Sequence, residues 1–166
     1  MEKPYITDCS QEALNALVPA VLEAFTACAA EYLQATGQMP VITSARRTLR
    51  HCAELMSAFT IPQLEGMYCK NGYPSYIRTI AETTARLGRK LTPNEVYNIL
   101  CNRCEGYISA HLYGAAIDVS SDELVEPTLL ERLMERHGFR VLNEVDLGIH
   151  CIHGTFKSIQ PEIIKT

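Results

Sequence analysis

The residues with most chemical potential lie in Ser109-Ala-His-Leu-Tyr-Gly-Ala-Ala-Ile-Asp118, where a histidine and an aspartate flank Gly114. Ile117-Asp118-Val119 reads as a short buried strand holding one acid, and a carboxylate in such a place needs a cation or hydrogen-bond donors to offset its lost hydration. A metal ion shared with His111 meets that need; an Asp that caps a turn and a hydrogen-bonded loop histidine would give the same two residues. The second cluster is Gly148-Ile-His150-Cys-Ile-His153-Gly154. Catalytic zinc typically takes three protein ligands from His and Asp/Glu and keeps one position for water. His111, Asp118 and one histidine of this cluster supply such a set.

Ser109-Ala-His-Leu-Tyr-Gly-Ala-Ala-Ile-Asp118 resembles the SxHxxGxAxD motif of the zinc D-Ala-D-Ala carboxypeptidases and their relatives of the hedgehog/DD-peptidase fold. Those relatives include vancomycin-resistance D,D-dipeptidases and phage L-alanyl-D-glutamate endopeptidases. Ser109, His111, Gly114, Ala116 and Asp118 match, and in Val41-Ile-Thr-Ser44-Ala-Arg46-Arg47-Thr48 the arginine Arg47 stands where the family has S-x-x-R. His153 matches the last zinc ligand, while His150 stands where the family carries its acidic general base.

The resemblance implies Zn2+ held by His111, Asp118 and His153, with Ser109 orienting a ligand. It also implies Arg47 near the scissile bond or the substrate carboxylate, and a peptidoglycan-derived stem peptide as substrate. The base falls to His150, whose ordinary pKa of about 6.5 suits the task, with Glu144 and Asp146 as alternates. Residues three apart in a regular strand face opposite ways, so His150 and His153 share a site only across a bulge or a strand end. A cell-wall peptide-binding module that keeps the fold and the metal without cutting is the alternative, and a globular domain with no metal is a third.

The elements that must position these residues read as α+β. With 166 residues and 47% apolar content, the chain suits a single domain over 1–166. Within it, 41–156 is the metallopeptidase-like core and 60–107 a helical insert. A capping box at Asp8 and Gln11 opens an amphipathic run from Leu14 to Leu33, which Pro19 kinks or divides and Gly37 closes. Met39 to Thr43 delivers Ser44 and Arg47, and a helix follows from Leu49 to Phe59.

Ile61-Pro62, Lys70-Asn-Gly72 and Tyr73-Pro74 punctuate an irregular start to the insert. Helices then run from Ser75 to Leu87 and, after the Thr92-Pro-Asn-Glu95 capping box, to about Cys104. Tyr68, Tyr73, Tyr76, Tyr97 and Tyr107 either wall a cleft or pack half-buried. Pro127 opens a last helix that ends at His137-Gly138, with His137 answering the helix dipole. Strands over 116–120, 139–145 and 148–156 join 41–47 in a small antiparallel sheet with helices on one side.

A net charge of −4 argues against a nucleic-acid partner. No apolar run approaches the roughly 20 residues of a membrane span. No signal-peptide pattern stands at the N-terminus, which leaves the compartment unassigned: cell envelope or periplasm if an export signal was trimmed, otherwise cytoplasmic or phage-encoded. Of the seven cysteines, Cys101 and Cys104 are the only close pair and read as two buried or half-buried thiols. Oligomeric state has no mark in the sequence.

Overall fold

The computed structural model describes residues 2–104 and 107–166. Among these are seven α-helices and one five-stranded mixed, mostly antiparallel sheet, which makes the class α+β. The chain divides into two compact units, Met1–Arg46 with Tyr113–Gln160, and Arg47–Leu112 with Pro161–Thr166.

The first unit holds the sheet: β1 (Ile6–Thr7), β2 (Val41–Ser44), β3 (Ala116–Ser120), β4 (Phe139–Asn143) and β5 (Cys151–Phe156), in spatial order β1-β2-β3-β5-β4. All neighbours are antiparallel except the two-residue edge strand β1, which runs parallel to β2. Its helices are α1 (Gln11–Asn15), α2 (Pro19–Thr36) and α7 (Pro127–Arg136). The capping residue of α1 is Ser10, whose hydroxyl accepts from the Ala13 N–H, so the expected start at Asp8 is displaced by two residues. Pro19 divides the amphipathic run, because a ring without an N–H is best tolerated at the first helical position.

Val21, Phe25 and Tyr32 of α2 and Met134 of α7 bury themselves against Ile117, Val119 and Ile152, all fully buried. Truncating a ring such as Phe25 in a core of this kind costs about 3–5 kcal/mol. Strand pairing sets the other face. Asp118 lies opposite His153, and Ser120 opposite Cys151. Side chains alternate along a strand, so Asp118, His153 and Cys151 lie on the face opposite to Ile117, Val119 and Ile152. A register shift between Ile42 and Ser44 brings Ser44 opposite Asp118, and bulges of this kind re-aim side chains beside functional sites.

The second unit is helical: α3 (Leu49–Ala58), α4 (Ile61–Tyr68), α5 (Ser75–Leu87) and α6 (Pro93–Cys101). Its core includes Met56, Leu64, Ile77, Val96 and Leu100. Helix α4 lies where the sequence reads as irregular. Thr60 and Gln63 form a full capping box there, and Pro62 sits in the first turn, where its missing N–H costs nothing. Helix α6 ends at Cys101 rather than near Cys104, and Cys104 is exposed, not half-buried. Tyr76 is buried edge-on to Tyr68 at 6.3 Å between ring centroids, and the Arg50 guanidinium lies 4.0 Å over the Tyr97 ring. Tyr73 and Tyr107 are exposed. No described helix is long and apolar enough to cross a membrane.

Candidate metal centre

His111 sits on a short 3-10 turn, Ala110–Tyr113, and is buried. The turn is held at two points: the Ser109 hydroxyl accepts from the His111 N–H at 3.3 Å, and the His111 carbonyl accepts from the Arg47 N–H at 3.0 Å. Gly114 then turns the chain into β3. Its φ of +74° is left-handed, and an added Cβ would stand 2.6 Å from the Ala16 carbonyl oxygen, so only glycine fits. Its own carbonyl accepts from the Val18 N–H at 3.0 Å.

Asp118 follows in β3, 5% exposed between two fully buried aliphatics. Its Oδ1 lies 2.9 Å from His153 Nδ1 on β5, and the other ring nitrogen of His153, Nε2, lies 2.9 Å from the Thr155 hydroxyl. One ligand atom from each of His111, Asp118 and His153 falls within 4.8 Å of the other two. Donor atoms around a tetrahedral zinc stand about 3.4 Å apart for bonds of about 2.1 Å, so modest side-chain shifts would seat an ion among them. The donor set, two imidazoles and a carboxylate, is of the kind that zinc accepts. Donation of the His153 Nε2–H to Thr155 would leave the Nδ1 lone pair for the cation, the usual way in which an outer hydrogen bond fixes a ligating histidine.

The remaining sequence candidates fall in different places. Glu144, just past β4, is 8% exposed, and its N–H donates to the Cys151 carbonyl at 3.0 Å. A carboxylate oxygen of Glu144, the Cys151 sulfur and an Asp118 oxygen lie within 4.8 Å of one another, which brings Glu144 beside the histidine group. His150 precedes β5, is exposed, and its Nδ1 lies 2.7 Å from Asp122 Oδ1. Asp146 is exposed on a 3-10 turn, Val145–Leu147. Arg47 is half-buried at the head of α3, one residue before its Thr48 cap. His137 caps α7 and its Nε2 lies 2.7 Å from Glu31 Oε1 of α2, so it makes a hydrogen bond to a second helix as well as closing its own.

Sequence reasoning did not reach Thr155 or Cys151. Thr155 stands two residues beyond His153, a spacing that puts both on one strand face once β5 is recognised. Comparison with known proteins adds no relative: no family model, curated protein or solved structure matches the chain.

Proposed function

We propose that the chain is a zinc-dependent peptidase acting on peptidoglycan stem peptides or related peptides that contain D-amino acids. The reading rests on one observation, the buried convergence of His111, Asp118 and His153 with the carboxylate of Glu144 close by. The motif resemblance alone supplies the substrate class. His111, Asp118 and His153 would hold a zinc ion, which when bound would supply an acidified water, of pKa around 7, and polarisation of the scissile carbonyl.

The chain's own residues then have distinct tasks. Glu144 takes up the water's proton and returns it to the leaving amine, work worth on the order of 10²–10⁴ in rate. It is preferred to His150, whose imidazole is solvent-exposed and engaged by Asp122, and to the exposed Asp146. Arg47 holds the substrate carboxylate or the developing oxyanion in a two-point grip. Ser109 positions His111 by capping its turn.

The test is cleavage of D,D-, L,D- and L-Ala-D-Glu bonds in muropeptides by zinc-loaded protein, with Glu144→Gln and His150→Ala in parallel. We expect Glu144→Gln to lower turnover by about 10²–10⁴ with zinc retained, and His150→Ala to leave it within a few-fold. Muropeptide binding without release of any fragment would replace the enzyme by a peptide-binding module. That alternative draws on the histidine at position 150, where the resembling family has its acid.

A further inference from the structure

Beside the histidine group lies a second set of donors in the sheet-bearing unit. Asp118, Glu144 and Cys151 each offer one atom, all within 4.8 Å of one another. Two of the three are buried carboxylates. Strand pairing accounts for the grouping: Cys151 stands opposite Ser120, two residues along from the Asp118–His153 pair, and the Glu144 backbone bonds to Cys151. Asp118 is the residue common to both groups. A carboxylate has two oxygens and can give one to each side.

A divalent cation seated among these three donors would offset the lost hydration of the two buried carboxylates. The thiol makes the set a mixed oxygen and sulfur one, which favours Zn2+, Co2+ or Cd2+ over Mg2+ or Ca2+. Two-metal hydrolase sites hold their ions about 3.5–4 Å apart, a separation that a shared carboxylate can span.

We propose that Asp118, Glu144 and Cys151 form a second divalent-cation site, with Asp118 bridging it to the ion held by His111 and His153. The consequence for regulation rests on the function proposed above. Once Glu144 ligates the second ion its carboxylate is no longer available to take up a proton, so excess metal inhibits. The Cys151 sulfur binds as thiolate, and its proton leaves to solvent.

The experiment is a titration of metal-stripped protein with Co2+, followed by calorimetry and by absorbance. Two equivalents are expected, and a thiolate-to-cobalt charge-transfer band should grow only with the second. Cys151→Ser should abolish the band and the second equivalent while keeping the first, and Glu144→Gln should weaken the second equivalent at least tenfold. His111→Ala should remove the first. One equivalent without the band, or a band that survives Cys151→Ser, overturns the second site and leaves the proposed function standing. A first equivalent that survives His111→Ala, or is never bound, sinks the function itself, whatever the second site does. Excess Co2+ should also suppress peptide cleavage by the unaltered protein and spare Cys151→Ser.

Discussion

Two aspartate–histidine pairs sit a few residues apart beside the same two strands. Asp122 and His150 approach to 2.7 Å, Asp118 and His153 only to 2.9 Å. The shorter contact is the weaker device. Its side chains are 65% and 69% exposed, whereas those of Asp118 and His153 are 8% and 20% exposed. Water and salt screen the outer pair, so its expected worth is about 0–1 kcal/mol. The inner pair has little water to fall back on, and removing one partner strands a buried polar group at a cost of about 3–5 kcal/mol. Burial, not distance, separates a metal-ligand candidate from a surface ornament.

The contrast is most open to attack through metal content. Asp118→Ala and His153→Ala should each abolish zinc retention after dialysis, measured by elemental analysis, while Asp122→Ala and His150→Ala retain a full equivalent. Loss of zinc from the outer variants, or retention by the inner ones, would erase the distinction. A finer probe is Thr155→Val, which removes the hydroxyl from His153 Nε2 and keeps the shape. Zinc affinity should fall about 10–100-fold, as for other outer partners of ligating histidines, and a competition titration against a chelator reads it directly.

The smallest effect concerns a third pair of intermediate exposure, Glu31 with His137. Hydrogen bonding from His137, with Arg136 adding its charge, holds the Glu31 carboxyl below the usual carboxylate range. A lowered folded pKa contributes stability above the ordinary value of about 4.3 and loses it as pH falls through the lowered one. Glu31→Gln should therefore melt slightly below the unaltered protein at pH 7, with the gap closing in acid. A gap that widens in acid would assign the effect to packing rather than charge.

Much of this was legible in the residues themselves. The grouping of His111, Asp118 and His153 follows from the motif resemblance, and strand β3 with helices α3, α5 and α7 from alternation and caps. What escaped did so for local reasons. Pro62 reads as a break unless the Thr60–Gln63 box is noticed, and then it marks a helix start. A two-residue strand such as β1 has no period to detect. The place of His150 turns on where β5 begins: a strand from 148 would enclose it, but the strand starts at Cys151 and leaves it in the loop. Cys151 gains meaning only from register, because spacing within one strand does not say what lies across from it, whereas Thr155 reaches His153 along its own strand.

Gly114 carries a consequence for how small a self-sufficient piece of this protein can be. The motif-bearing stretch starts at Val41, yet Gly114 presses on the Ala16 carbonyl and bonds the Val18 N–H. The stretch also shares its core with Val21, Phe25 and Tyr32, and pairs β2 with a strand at Ile6–Thr7. A fragment cut to begin at Val41 would keep all three metal-ligand candidates and lose the surface against which the chain between two of them is moulded. The first forty residues are thus a template for the site, contributing shape and no ligand.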